Sequence, residues 1–344
     1  MKKKSVIFTF CNDIGIYLKQ TNMKKILNFW VLLSLINMAA FSQQEAQFSH
    51  NMFNNMAINP GFAGHTEAIC ATAIARTQWM GFTDPQGNKG APQTYLLSVD
   101  GNINPIRGGL GLVISQDKLG FEKNLGVKIG YAYQMNIGPG KLGIGAQVGF
   151  LNKTIDFSKF VPIDADDPYL QANKPSDMLT DYSLGFFYSI KNKLYAGLSS
   201  SQLLQVQSNF GANIASPKLK RHYYLTAGYQ IPLTNQSFEI DPSILVKSDI
   251  TSLQIDLNAL LWYNNKFWAG LSYRPGDAIV VLVGLRPIPN NNDVKLGISY
   301  DVTTSALGAK GRSNGTIEVM LNYCFKIVPV YRPTINGETK RLGH

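Results

Sequence analysis

The chain has 344 residues, 45% of them apolar and only 16% charged, with 31 glycines, 18 phenylalanines, 16 tyrosines and 4 tryptophans. Ordinary soluble domains are about a quarter charged, so this composition excludes a disordered chain and argues against a cytosolic enzyme. The formal charge is +10, but six lysines and one aspartate fall in residues 1–42. Beyond them 26 Lys and Arg face 21 Asp and Glu, and no basic cluster is interleaved with aromatics as a nucleic-acid groove requires.

Met23-Lys24-Lys25 precedes a mostly apolar run, Ile26 to Phe41, that ends in small residues at Ala40-Phe41-Ser42. This order of a basic, an apolar and a small-residue region predicts a cleaved secretory signal peptide over 1–42, with Met23 as the start and the mature chain beginning near Gln43. A signal anchor is the alternative reading; the run is short for one and holds Asn28 and Asn37. Residues 43–67 are polar, rich in Asn and Met, and end in the turn signal Asn59-Pro60-Gly61. They are expected to plug a lumen or dock on the periplasmic side.

From residue 68 onward every second side chain is apolar over eight to fifteen residues, after which a Gly, Pro, Asn or Asp cluster intervenes. Period two means strands. The clearest case sets Leu253, Ile255, Leu257, Ala259, Leu261 and Tyr263 against Ser252, Gln254, Asp256 and Asn258. Strands are predicted near 68–77, 93–102, 108–116, 124–135, 140–154, 180–189, 193–201, 221–231, 238–248, 251–263, 266–274, 278–286, 293–302 and 315–325. Mean hydropathy is −0.05, as expected when strands rather than helices cross a membrane, because alternation averages to neutral. Fourteen is an even number, and closure removes the exposed edges. The expected fold is therefore all-β, a closed antiparallel transmembrane β-barrel over 68–325 with a periplasmic tail over 326–344. Connections after even-numbered strands are short and several others are long, which sets the termini in the periplasm. A soluble β-sandwich or propeller is the alternative; a propeller needs a blade repeat of about forty residues, which is absent.

Several residues then resemble a family. Gln47-Phe48-Ser49, Asn59-Pro60-Gly61-Phe62-Ala63-Gly64 and Arg76-Thr77-Gln78-Trp79 are followed by Gly108-Gly109-Leu110-Gly111-Leu112 with Asp117 and Gly120. Tyr131-Ala132-Tyr133, Tyr273-Arg274, Tyr300-Asp301 and Gly315 to Tyr323 complete the series. In order and spacing they resemble the PorP/SprF outer-membrane proteins of Bacteroidetes type IX secretion and gliding. Gly61 and Thr316-Ile317 depart from the family's usual Ala and Ser-His. The resemblance implies secretion, display or assembly of a large surface adhesin with a type B C-terminal sorting domain, and for some members association with a periplasmic lipoprotein ring.

Nothing points to catalysis, a cofactor or a metal. The histidines are His50, His65, His222 and His344, with no His-Glu-x-x-His, Cys-x-x-Cys or Gly-x-Ser-x-Gly motif. His222 near Ser199 or Ser200 is the one loose nucleophile–base pairing. In a closed barrel the first and last strands pair, and parity predicts a lumenal ion pair between Arg76 and Glu318. The same parity sets Cys70 beside Cys324, either as a disulfide across the seam or as two separate small side chains. Lys128, Glu239, Asp241, Lys247, Asp256, Arg274, Arg286, Lys295 and Asp301 are expected on the inner face, together with Trp262 and Trp268.

Partner contacts are expected at Arg76, Gln78 and Trp79 near the outer end of the first strand, because Trp and Arg dominate interface hot spots. Trp79 reads equally as a girdle residue and Arg76 as a strand clamp. Further partner contacts are expected at Trp262, Trp268, Leu203 and Phe210, and periplasmic contacts at Lys326, Arg332, Lys340 and Arg341. The acidic group Asp164, Asp166 and Asp167 lacks the spacing of an EF-hand loop. A passive porin and an outer-membrane hydrolase remain the rival functions.

Overall fold

The computed structural model describes residues 45–66, 68–83, 87, 90–159, 174–210, 217–235, 237–289, 292–309 and 313–325. The leader over 1–42, the tail with Lys326, Arg332, Lys340 and Arg341, and the Asp164, Asp166 and Asp167 group lie outside the described residues.

Fourteen long strands follow one another as antiparallel neighbours: β1 (Ile69–Thr77), β2 (Gln93–Ile103), β3 (Gly108–Leu119), β4 (Glu122–Ile137), β5 (Gly140–Ile155), β6 (Ser176–Ile190), β7 (Leu194–Ser201), β8 (His222–Tyr229), β10 (Phe238–Ser248), β11 (Leu253–Tyr263), β12 (Phe267–Arg274), β13 (Ala278–Pro289), β14 (Asn292–Thr303) and β15 (Thr316–Phe325). A two-residue strand, β9 (Ile231–Pro232), pairs with the start of β10. Because β1 pairs with β15 from Ile69↔Phe325 to Thr77↔Ile317, the sheet closes and no long edge is left open.

The alternation in sequence becomes the two faces of the wall. Leu257 and Ile298 stand outward, 46% and 54% exposed, while their neighbours Asn258 and Ser299 are buried inside. Among the described residues nothing covers the outward apolar band, which is the surface suited to lipid. Tyr133, Tyr229, Tyr263, Phe267, Tyr323 and Phe325 stand exposed at the end of the tight turns, where an interfacial aromatic girdle belongs. We take that end as periplasmic, and the end with the connections 78–92, 156–175, 202–221 and 304–315 as outer.

Some strands outrun their apolar pattern. β3 and β4 reach Leu119 and Glu122, where alternation ends at 116 and begins at 124, and β6 starts four residues before its predicted start. There Asp117 pairs with Asn124 and Asp177 with Lys153. A ladder that rises above the lipid needs backbone partners and no apolar face.

Candidate functional site: a strapped lumen and a locked seam

Residues 45–64 run inside the barrel as three short helical turns, Asn51–Phe53, Asn55–Ile58 and Pro60–Phe62, joined by bends. This strap begins in the outer half. Glu45 accepts from Tyr224 and Ser201, lies 3.5 Å from Lys128 Nζ, and its carbonyl accepts from Lys247 at 2.8 Å. The strap ends near the periplasmic end, where Gly64 N–H donates to Asp100 at 3.0 Å and Gln134 donates to the Ala63 carbonyl at 2.6 Å.

Glycines of the wall let the strap's backbone lie directly against the sheet. A side chain at Gly61 would meet the carbonyls of Gly143 and Gly185, each 2.9 Å from its Cβ position. A Cβ on Gly145 would land on the Pro60 carbonyl, and one on Gly109 on the Ala63 carbonyl. Only residues without side chains permit such approach. Asn59 completes the seat: its amide donates to the Phe186 carbonyl at 2.9 Å while its Oδ1 accepts from Gly61 N–H at 2.8 Å. Phe48, Met52, Phe53, Met56, Ala57 and Phe62 pack on inward Ile74, Leu96, Val113, Leu260, Val280, Leu282 and Met320. The lumen therefore holds an apolar core as well as ions.

The ions gather where the strap meets the seam. Glu318, fully buried, accepts from Ser49 N–H, His50 N–H and Arg76 at 2.8, 2.8 and 3.1 Å, and one of its oxygens lies 2.7 Å from His50 Nδ1. Arg76 also reaches Asp301 and the Ser49 hydroxyl, both at 2.8 Å. Arg274 grips both oxygens of Asp256, at 3.0 and 3.2 Å, and continues to Asp277 at 3.0 Å. Asn51 bridges to Asp256 and Asn258. Buried charges persist only when paired and hydrogen-bonded, and each of these is. Cys70 and Cys324 form a disulfide at the periplasmic end of the same seam. At the outer end Trp79 N–H donates to the Thr316 hydroxyl, and Met80 and Asn314 extend the ladder through Gly315.

Four residues expected as partner contacts, Arg76, Trp262, Trp268 and Phe210, are covered by the chain itself. Arg76 is 2% exposed and belongs to the seam network. Trp262 and Trp268 face each other from β11 and β12 with ring centroids 6.1 Å apart, and Phe53 of the strap lies 6.3 and 5.0 Å from them. Gln78 and Trp79 stay half-buried at the outer end. Trp79 holds a positive φ of 50°, an outlier for so bulky a residue, with its ring beside Phe82. Leu203, half-buried, donates its N–H to Tyr182 and its carbonyl accepts from Arg221; Phe210 is buried in the same connection. His222 and Ser199 are not joined: His222 Nδ1 lies 2.8 Å from the Lys220 carbonyl, and Ser199 donates to the Ile58 carbonyl. Ser49, His50, Asn51 and Asn59 are the residues that alternation cannot find. Their signal lay in the wall: Ile279 to Val283 is apolar on both faces, so its inner face needs a cover.

Together the closed sheet, lipid-facing band and filled interior define an integral outer-membrane β-barrel. The model of the type IX secretion system membrane protein PorP/SprF family matches residues 40–323, and the chain belongs to that family. Among solved structures the chain is similar to the CymD monoaromatic hydrocarbon channel, at 13% identity over 80% of this chain and 93% of that one with a TM-score of 0.46. It is similar also to the Ralstonia pickettii toluene transporter TbuX, at 10% identity over 82% and 94% with a TM-score of 0.46. The Pseudomonas putida toluene transporter TodX gives 11% identity over 84% and 96% with a TM-score of 0.45. No curated protein matches.

Proposed function

We propose that this member of the type IX secretion family is a non-enzymatic barrel that retains or guides a large exported adhesin at the cell surface. It acts by binding the adhesin's type B C-terminal sorting domain. The observation that carries the reading is the strap. A lumen in which residues 45–64 lie backbone to backbone on the wall, tied to Glu318, Asp301, Asp256 and Asp100, suits a rigid platform better than an open conduit. The outer connections, with Trp79 and Leu203 at or near the rim, are the proposed cargo face. The basic tail with Lys326, Arg332, Lys340 and Arg341 is proposed to meet the periplasmic lipoprotein ring.

The test is purification of the tagged protein from its native outer membrane in mild detergent, followed by mass spectrometry of what remains bound. A large exported polypeptide, represented through its C-terminal domain, is the expected companion. A lone barrel that conducts ions steadily in a planar bilayer would replace this reading with a passive porin. Periplasmic lipoproteins alone would move the role to motor attachment.

A further inference from the structure

The tight-turn end of the barrel carries four exposed cations. On the periplasmic turns Arg107, Lys191, Lys193 and Lys266 are all exposed, and none pairs with a carboxylate among the described residues. Two carboxylates of that end are engaged within the barrel: Asp241 accepts from Trp262 at 2.9 Å, and Asp293 is gripped by Arg286 at 2.6 and 3.0 Å and by Lys295 at 2.8 Å. At the outer end Lys153 and Lys174 have acidic partners, Glu122 at 2.5 Å and Asp156 at 3.1 Å, while Lys118 and Lys123 stand exposed there.

The four cations also sit in turns at one end of the barrel. Their turns are tight: Asn104–Ile106 then Arg107, residues 191–193, and residues 264–266. Such turns cannot carry a side chain far beyond the bilayer surface. They begin beside the aromatic girdle, where Tyr131 OH donates to the Ile106 carbonyl at 2.7 Å, Tyr188 OH donates to the Ile137 carbonyl at 3.2 Å, and Tyr263 and Phe267 flank the third turn. Aromatic rings settle at the interface, and long basic side chains one residue farther out meet the phosphate layer.

We infer that Arg107, Lys191, Lys193 and Lys266 form a collar that binds the anionic headgroups of phospholipids in the periplasmic leaflet. A free acidic protein could use the same charges, but these turns start at the aromatic girdle, which puts them at headgroup depth. The inference rests on the barrel spanning the outer membrane with its short turns inward, and not on the adhesin reading.

The test is native mass spectrometry of the full chain released from nanodiscs of phosphatidylethanolamine with a fifth part phosphatidylglycerol. The expected result is a ratio of retained phosphatidylglycerol to phosphatidylethanolamine on the order of tenfold that of the nanodisc, a rise abolished in the variant Arg107→Gln, Lys191→Gln, Lys193→Gln, Lys266→Gln. Replacing the three lysines by arginine is expected to keep the enrichment, and unchanged heat-modifiable migration shows that each variant is folded. Equal retention of both lipids by the native chain, or undiminished enrichment in the glutamine variant, overturns the inference. So does loss of an acidic periplasmic protein from native pull-downs with lipid retention unchanged, which would assign the collar to a protein.

Discussion

Glu318 shows how a single carboxylate can be charged and fully buried: Arg76 supplies the counter-charge, and two strap N–H groups and the His50 ring occupy the remaining lone pairs. Removing one member of such a set leaves the others desolvated and unpaired, which costs about 3–5 kcal/mol. Arg76→Ala is therefore expected to lower the urea midpoint of micelle-embedded barrel strongly, read by tryptophan fluorescence; a midpoint equal to that of the native chain would show that the pair carries no stability. Crowding gives a second residue-scale expectation. In Gly145→Val the new side chain collides with the Pro60 carbonyl, so the strap loses its seat and a protease site placed in residues 51–58 becomes cleavable. Protection at the native level would refute that. Strand parity alone sets Arg76 opposite Glu318, but Asp301 as a shared acceptor and Ser49 as a bridge follow only from the strap's path, which no period announces.

At the scale of elements, the strands were legible because every lipid-facing position must be apolar and every second residue faces lipid. Their outer extensions were not, since Asp117, Lys118, Lys123 and Asp177 sit on ladders whose residues carry no apolar alternation. The strap escaped the same reasoning from the other direction. Its turns are three or four residues long, too short for a periodicity, and it is buried largely through Asn, Ser and His. If the strap is what fills the lumen, a chain lacking residues 45–64 conducts ions in planar bilayers while the full chain is silent. Identical traces from both would mean that the wall's own side chains close the path.

For the whole molecule, the β1–β15 seam carries three independent fastenings: the ladder, the lumenal ions, and the Cys70–Cys324 disulfide. Cross-linking residues 254 apart in sequence restricts the unfolded chain and typically adds about 2–4 kcal/mol. Thiol reagents are expected to label Cys70 and Cys324 only after reduction and denaturation, and Cys70→Ser with Cys324→Ser is expected to lose heat resistance in detergent. Labelling of both in the unreduced protein would refute the bond. A seam held this way is an unsuitable lateral exit.

The cradle for Ser49 and His50 is built from Arg76 on the first strand and from Asp301 and Glu318 on the last two. Residues translated first thus find their resting place only when those translated last have arrived. A product truncated before β15 lacks Glu318 and cannot complete the seat of Ser49 and His50. Seating of the strap is in this sense the molecule's own certificate of completeness.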